Sequence, residues 1–424
     1  MPYDVAAVRD RFPALKAGFA HFDGPGGSQV PDSVADAVAR TLLSPLANRG
    51  TVTEAERTAD GIVHEARAAM ADLLGVGARG VVFGRSMTEL TFAMARTLAA
   101  GWGPGDEVVV TRLDHDANIR PWVIAAAAVG ATVRWAEFDP ATAELTEDDV
   151  AAVLSPRTRL VALTAASNLL GTRPPVRAIA DLAHAVGALV YVDGVHYTAH
   201  VPVHVDALGA DLYACSPYKF LGPHCGVLAA APDLLESLTP EKLAPSPDSV
   251  PERFELGTLP YELLAGTTAA VDFLAGLDPT VSDSPGTGSR RERLTASLAT
   301  VERHEEGLRH RIEDGLAALN ETALNETALN DKNEKGRPAV TVHSRAGSRT
   351  PTLLLSFPGR DPQDAYRFLA QRGVNAPAGT FYALEASRRL GFGDRGALRV
   401  GLAPYTDDGD VDRLLTGLGE FLAS

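Results

Sequence analysis

The middle of the chain alternates short apolar runs with helix-like stretches, and this alternation constrains the fold more than any other feature. Seven runs predict strands, at residues 81–83, 107–111, 132–138, 159–165, 188–192, 212–215 and 226–230. Helical patterns lie between several of them, at 88–100, 118–129 and 176–186. The runs are continuously apolar, which indicates a sheet covered on both faces. We therefore predict an α/β fold with a mainly parallel, seven-stranded sheet.

The sequence changes in character after residue 280. Residues 282–289 are rich in Ser, Pro, Gly and Asp and are typical of a linker, and residues 290–319 predict one long charged helix. Strands at 339–343, 352–357 and 397–403, a helix at 362–372 and a closing helix follow. We predict a large domain over 21–280 and a smaller α+β domain formed by 1–20 and 281–424, since 424 residues suit about two domains.

Composition excludes several classes of function. The net charge of -15 argues against nucleic-acid binding, which needs a basic face. No apolar run reaches the roughly 18 residues of a membrane span, and the N-terminus lacks the apolar core of a signal peptide. Two cysteines, Cys215 and Cys225, are too few for a disulfide framework. We expect a cytoplasmic protein with no nucleic-acid or membrane partner.

Lys219 is the first candidate for chemistry. The chain has only five lysines, and Lys219 alone lies in an apolar setting, just after the predicted strand 212–215. At the carboxyl end of a sheet strand a lysine is partly desolvated, which lowers its pKa and makes its amine nucleophilic. A loop lysine that reaches into solvent is the alternative.

Asp193 ends another apolar strand, 26 residues before Lys219. The two side chains should therefore meet at one edge of the sheet. A carboxylate and a lysine amine there suit pyridoxal 5'-phosphate (PLP), because the carboxylate keeps the pyridine nitrogen protonated and the ring then accepts electrons. A helix cap and a metal ligand are the other roles that an aspartate at a strand end often has.

Residues 84–88, Gly-Arg-Ser-Met-Thr, lie between a predicted strand and a predicted helix. Ser86, Met87 and Thr88 would direct backbone amides and hydroxyl groups at a phosphate, although an ordinary helix cap has the same pattern. The glycine-rich stretch 23–28 fits neither the Walker nor the Rossmann spacing, which disfavours a nucleotide-binding enzyme.

Several ordered segments complete the pattern. They are 114–122 (DHDANIRPW), 167–172 (SNLLGT), 192–194 (VDG), 216–219 (SPYK), 253–258 (RFELGT) and 398–400 (LRV). In this order, over nearly the whole chain, they resemble the class V aminotransferase superfamily of PLP fold-type I enzymes, and within it the cysteine desulfurases and selenocysteine lyases.

The resemblance implies a role for each matching residue. Lys219 would form the Schiff base, Asp193 would pair with the pyridinium, and His115 would stack on the cofactor ring and move protons. Asn168 would orient substrate or cofactor, and Arg399 would hold the substrate carboxylate. The residues expected at the phosphate are Ser86, Met87, Thr88 and Ser216, together with Thr258 acting on the partner subunit of a homodimer. For His115 and Arg399, a surface loop residue and a surface salt bridge are the respective alternatives.

Three positions depart from the family pattern. His196 replaces a glutamine that contacts the ring oxygen, and Tyr218 replaces the histidine before the lysine; both are kept as cofactor contacts. The loop 374–382, which carries the sulfur-accepting cysteine in cysteine desulfurases, contains no cysteine here. Cys215 and Cys225 are more consistent with small buried residues than with nucleophiles.

We therefore predict a homodimeric PLP enzyme that acts on a small amino acid, with no metal. The favoured reaction is C–S (or C–Se) bond cleavage by a lyase route. An epimerase or aminotransferase of the class V group is the alternative within the family. A non-catalytic binding protein on the PLP fold is the alternative from another class.

Overall fold

A computed structural model of the protein describes residues 3–278, 288–330 and 338–424, with the backbone alone for residues 323–330. Most of the predicted linker 282–289 lies outside the described residues. The elements up to residue 278 are α1 (Val5–Asp10), β1 (Ala20–His21), α2 (Asp32–Leu42), α3 (Glu54–Leu74), β2 (Val81–Gly84), α4 (Met87–Ala99), β3 (Glu107–Thr111), α5 (Arg120–Val129), β4 (Thr132–Ala136), α6 (Glu147–Ala151), β5 (Thr158–Thr164), α7 (Val176–Ala185), β6 (Leu189–Asp193), α8 (Val205–Leu208), β7 (Leu212–Cys215), β8 (Gly226–Ala230), α9 (Pro232–Ser237) and α10 (Tyr261–Ala275).

The elements after residue 287 form the rest of the fold. They are α11 (Arg290–Asn330), β9 (Thr341–Val342), β10 (Thr352–Ser356), α12 (Pro362–Ala370), β11 (Val374–Asn375), β12 (Ala378–Gly379), α13 (Leu384–Arg389), β13 (Ala397–Gly401) and α14 (Asp408–Ala423).

The large sheet has seven strands in the order β2-β8-β7-β6-β5-β3-β4. Pairs among β3 to β7 are parallel, whereas β8 runs antiparallel to both of its neighbours, β2 and β7. The predicted α/β fold with a mainly parallel seven-stranded sheet is confirmed. Except in the edge strand β4, these strands carry near-continuous apolar runs, as expected where side chains on both faces are buried.

Each face of this sheet has its own core, since successive strand residues point to opposite sides. In β6, Val190 and Val192 join one core, with α3, α7 and α10. Tyr191, between them, joins the other core, which includes residues of α4 and α5. Helices therefore cover both faces, which leaves the ends of the strands open to a ligand.

The second sheet has the order β12-β13-β10-β9 and is antiparallel throughout. It packs with α12, α14 and the middle of α11 in a third core. The N-terminal segment contacts this region: β1 pairs in parallel with β11, and Arg9 forms ion pairs with Asp407 and Asp410 at 3.0 and 2.6 Å. The domain boundaries at 20 and 280 stay a prediction.

No helix in the described part of the chain is both long and apolar enough to cross a bilayer.

Candidate active site

The carboxyl ends of the parallel strands open into two adjoining chambers. An inner chamber, with an empty volume of about 550 Å³, is lined by Ser86, Met87, Asp193, His196 and Ser216. An outer chamber of about 1170 Å³ is lined by Phe92, Asp116, Arg120, Phe381, Tyr382 and Arg399. Both share Pro25, Thr88, His115, Ala117, Asn168, Tyr218 and Lys219. This edge of an open α/β sheet is where ligands characteristically bind.

Lys219 lies on the wall common to both chambers. It ends a short 3₁₀ turn, Pro217–Lys219, directly after β7. Its Nζ donates to the carbonyl oxygen of Pro25 and lies 4.8 Å from the ring centroid of Tyr218. Burial and the positive charge of Arg399 lower the pKa of Lys219 to about 7, against an opposing contribution from Asp193. A large fraction of this amine is therefore neutral and nucleophilic near neutral pH.

Asp193 is the last residue of β6 and is buried. Its Oδ1 accepts a hydrogen bond from Val195 N at 2.9 Å, and within the described ranges no cation forms an ion pair with it. Burial raises the pKa of Asp193 to about 6, although the Val195 amide and Lys219 act in the opposite direction. A cationic ring nitrogen placed here would offset that desolvation.

The first turn of α4 forms one end of the inner chamber. Ser86 caps the helix, its hydroxyl accepting from Glu89 N at 3.1 Å, and Met87 and Thr88 follow as its first residues. A Cβ on Gly226 would lie 2.2 Å from the carbonyl carbon of Ser86, so a glycine is needed for β8 to approach this turn. The exposed amides of a 13-residue helix suit a phosphate.

His115 is positioned by a buried polar chain. Its Nδ1 accepts from Ala117 N at 3.0 Å, which leaves the proton of the neutral ring on Nε2. Burial lowers the pKa of His115 to about 4, with Lys219 contributing in the same direction. The neighbouring Asp114 accepts from Asn118 Nδ2 at 2.7 Å, and Trp122 Nε1 donates to Asn118 at 3.1 Å. His115 is therefore a neutral, oriented imidazole and not a mobile surface residue.

His196 lines the inner chamber, but part of its hydrogen bonding is directed elsewhere. Its Nε2 lies 2.9 Å from the Thr350 hydroxyl and 3.0 Å from the Thr352 hydroxyl. Burial and the neighbouring His200 hold its pKa well below the ordinary value. A contact with the cofactor ring oxygen would therefore fall to Nδ1, and that contact stays a prediction.

The remaining predicted phosphate contacts divide into two groups. Ser216 is buried and lines the inner chamber, and Tyr218 lines both chambers with its ring stacked on His224 at 4.6 Å. Thr258 is exposed and lines neither chamber. Its predicted role concerns the partner subunit, so that role also stays a prediction.

Arg399 is 2% exposed on the central strand β13 and reaches the outer chamber. Its Nη1 donates to the Asn168 carbonyl oxygen at 3.0 Å, and its guanidinium lies 3.7 Å from the centroid of the Phe381 ring. Nε has no hydrogen-bond partner, and in the part of the chain that the structure describes no carboxylate forms an ion pair with Arg399. Burial lowers its pKa to about 9 despite the nearby Asp23. An anionic ligand would therefore stabilise this buried cation.

Asn168 connects this arginine to the loop 374–382. Its Nδ2 donates to the Phe381 carbonyl at 2.9 Å, while its buried Oδ1 has no hydrogen-bond partner among the residues that the structure describes. Tyr382 follows, and its carbonyl accepts from Asp116 N at 2.7 Å. The sequence interpretation selected this loop for its missing cysteine and did not identify Phe381 or Tyr382 as site residues.

Phe381 and Tyr382 both adopt the left-handed conformation, with φ of 53° and 60°. For residues other than glycine this costs about 1–3 kcal/mol each, so the hydrogen bonds from Asn168 and Asp116 maintain a strained turn. The turn places the Tyr382 ring 5.4 Å from the His115 ring. No sequence signal would have revealed this, because left-handed aromatic residues depend on their tertiary partners.

The two cysteines lie outside this arrangement. Both are buried, and neither is among the residues that line the two chambers. Burial raises the pKa of the Cys225 thiol to about 11 and raises that of Cys215 as well. Their interpretation as buried residues of small size agrees with these positions.

Taken together, the residues fit PLP. A nucleophilic lysine, a carboxylate that is buried without an ion pair in the described part of the chain, and a helix N-terminus surround one chamber. Lys219 would bond to the aldehyde carbon, Asp193 would hold the ring nitrogen, and the first turn of α4 would hold the phosphate. Within the described ranges, no group of three or more His, Cys, Asp or Glu side chains could hold a metal ion.

Several known proteins are similar to this chain in sequence and in fold. The family model of aminotransferase class-V matches residues 20–414. An uncharacterized protein of Mycobacterium tuberculosis is 33% identical over 99% of both chains, and a cysteine desulfurase of Klebsiella pneumoniae is 30% identical over 99% of this chain and 98% of its own. A crystal structure of a cysteine desulfurase of Escherichia coli superposes with a TM-score of 0.82 at 26% identity, covering 100% of this chain and 99% of the other.

Proposed function

The chain belongs to the class V aminotransferase family, and we propose that it cleaves the C–S (or C–Se) bond of a small amino acid by a lyase route. It is a PLP-dependent enzyme with the fold-type I architecture of its cysteine desulfurase relatives. When bound, PLP stabilises the negative charge that develops at Cα once the Cα proton has left. The β-thiolate then departs; for L-cysteine and water, the products are pyruvate, ammonia and hydrogen sulfide.

The observation that carries this proposal is the pair formed by Lys219 and Arg399. Both reach the outer chamber, and neither forms an ion pair within the described residues. Arg399 would bind the substrate carboxylate, which supplies the anion that its buried guanidinium lacks. Lys219, with its pKa near 7, would take the Cα proton as a neutral amine whenever it is not bonded to the cofactor. His115, neutral through burial, would face the cofactor ring and orient it.

The cysteines favour elimination over sulfur transfer through a protein persulfide. A persulfide route needs a thiolate at the substrate. Cys215 and Cys225 are buried thiols with raised pKa values, and the loop 374–382 contains no cysteine. Sulfur leaving as free sulfide is therefore more consistent with the site than its transfer to this chain.

The test is product analysis after the PLP-loaded protein has been mixed with L-cysteine and a reductant. We expect pyruvate, ammonia and sulfide in equal amounts. Lys219→Ala should abolish turnover, and Lys242→Ala, which removes a lysine paired with Asp248 at 3.0 Å outside both chambers, should not. Alanine plus sulfide would contradict the elimination route, and unchanged activity in Lys219→Ala would contradict the whole assignment. Racemised substrate or a keto acid without sulfide would instead indicate an epimerase or an aminotransferase.

A homodimer with shared active sites belongs to the same proposal. Thr258 is exposed outside its own chambers, and nearby apolar side chains are exposed as well, with Val52 at 83% and Leu256 at 51%. An ion pair of 3.3 Å between Arg49 and Glu252 joins the segment that contains Val52 to the segment that contains Leu256 and Thr258. This surface suits contact with a second copy, which would bring Thr258 to the partner's phosphate. Light scattering should give a dimer, and Thr258→Ala should weaken PLP binding in an intact dimer; a monomer with full PLP affinity would refute this.

A further inference from the structure

The outer chamber has an aromatic wall formed by Phe92, Phe381 and Tyr382. Tyr382 is 75% exposed, the highest exposure of any aromatic side chain among the large exposed apolar residues of the described chain. Large aromatic side chains usually bury most of their surface. Since the Tyr382 side chain is largely exposed, hydrophobic burial is not the reason that its backbone is held in a strained turn.

The position of Tyr382 is maintained from the site itself. Asp116, next to His115, donates its backbone N–H to the Tyr382 carbonyl, and Asn168, which contacts Arg399, holds the preceding carbonyl. The turn is thus connected to the two residues that would flank the substrate. Its effect is to keep an aromatic ring at the mouth of the outer chamber.

The charges of the outer chamber restrict which substrate groups can contact the Tyr382 ring. Arg399 would be occupied by the substrate carboxylate, and Lys219 by its reaction at Cα. Arg120, the remaining cation in the lining, already pairs with Asp116 at 2.7 Å and with Glu385 at 3.4 Å. No free cation is left among these lining residues for an acidic side chain, so the surface that this subunit presents beyond the Cβ position is aromatic and electrically compensated.

We propose that the aromatic wall binds the part of the substrate beyond its sulfur, so that the preferred substrate is a thioether amino acid with an apolar or aromatic S-substituent and not free cysteine. This inference rests on the lyase proposal. Thioether sulfur and apolar groups both contact aromatic rings favourably, whereas the side chain of cysteine ends at its sulfur. The reaction would convert the S-substituted cysteine and water into pyruvate, ammonium and the free thiol: the Cβ–S bond breaks, and the sulfur leaves with its electron pair and takes up a proton.

The test measures binding separately from turnover. S-methyl-L-cysteine and S-benzyl-L-cysteine are titrated into the PLP-loaded enzyme, and the change in visible absorbance of the cofactor gives each dissociation constant. The wild type should bind the benzyl compound at least about tenfold more tightly, and Tyr382→Ala should reduce that ratio about three- to tenfold. Alanine is preferred to glycine as the replacement, because glycine would also relax the left-handed backbone. Tyr382→Phe should keep the ratio.

Phe19→Ala is the matched control, since it removes a ring that is 45% exposed and lies outside both chambers. It should leave both constants unchanged. Equal affinity for the two compounds, or an unchanged ratio in Tyr382→Ala, would overturn the inference. Preferential benzyl binding without release of benzyl thiol would support the binding site and refute the lyase proposal. Unchanged S-methyl-L-cysteine binding in Tyr382→Ala would show that its effect is local.

Discussion

Replacement of Arg399 should weaken substrate binding and at the same time stabilise the substrate-free protein. Arg399→Lys keeps the charge but loses the planar fork that binds both carboxylate oxygens. One charge-assisted hydrogen bond is then lost, which is worth about 1.5–3 kcal/mol, or about a tenfold to 150-fold loss of affinity. Arg399→Met removes the charge and both bonds, so its affinity should fall further.

The stability effect has the opposite sign because the charge is buried and forms no ion pair with the described residues. The fall in the pKa of Arg399 from 12.5 to about 9 corresponds to roughly 5 kcal/mol of unfavourable burial of the charged form. Arg399→Met would remove this cost. It would also lose the contact with the Phe381 ring, worth about 1–2 kcal/mol, and leave the Asn168 carbonyl without its donor, which costs about 1–3 kcal/mol. The balance is a rise of about 0–3 kcal/mol in the free energy of unfolding.

Two measurements test this reasoning. The binding of S-methyl-L-cysteine is followed by cofactor absorbance, and urea unfolding of the cofactor-free protein gives the stability. Arg11→Lys, which alters an exposed ion pair with Asp32 at 2.7 Å, is the control and should change neither quantity. Wild-type affinity in Arg399→Met would refute the role in carboxylate binding. A marked loss of stability in the same variant would refute the electrostatic argument.

Three further predictions concern the cofactor. Because the pKa of Lys219 is near 7, the rate of PLP loading should rise with pH through about 7 and become constant above about 8, where the amine is neutral. A loading rate that still increases up to pH 10 in stopped-flow measurements would contradict this pKa. Asp193→Asn should retain PLP but lower kcat by about two orders of magnitude, through loss of a buried charged hydrogen bond, and a near-normal kcat would exclude the pyridinium role. Gly226→Ala should displace the α4 N-terminus near Ser86, which lowers the PLP affinity and reduces the free energy of unfolding by about 1–3 kcal/mol. The control Gly307→Ala, on an open helix surface, should instead stabilise the protein by about 0.5–1 kcal/mol. Equal effects of the two variants in PLP titration and urea unfolding would refute the steric argument.

The local sequence was sufficient for features that depend on neighbouring residues. The strand limits 107–111, 212–215 and 226–230 were predicted to the residue, because these apolar runs have the short length of strands and are bounded by turn residues. Asp193 and Lys219 could be placed at one sheet edge for the same reason, since the carboxyl ends of parallel strands lie side by side. The long helix from Arg290 was predicted as well, although it continues beyond residue 319, to Asn330.

Tertiary structure decided what depends on contacts between distant segments. His196 was predicted as a cofactor contact, but its hydroxyl partners lie 154 and 156 residues away, on the second sheet and its approach. The resemblance predicted Arg399, whereas its burial, and its lack of a carboxylate partner within the described ranges, depend on the fold. The strained turn at Tyr382 could not be predicted from the sequence, because it is held by the backbone of Asp116 and the side chain of Asn168. Hydrophobic periodicity and turn residues act over a few positions, and they were sufficient to predict the sheet and its reactive edge. The shifted pKa values and the aromatic wall arise only when segments far apart in the sequence pack together and exclude water.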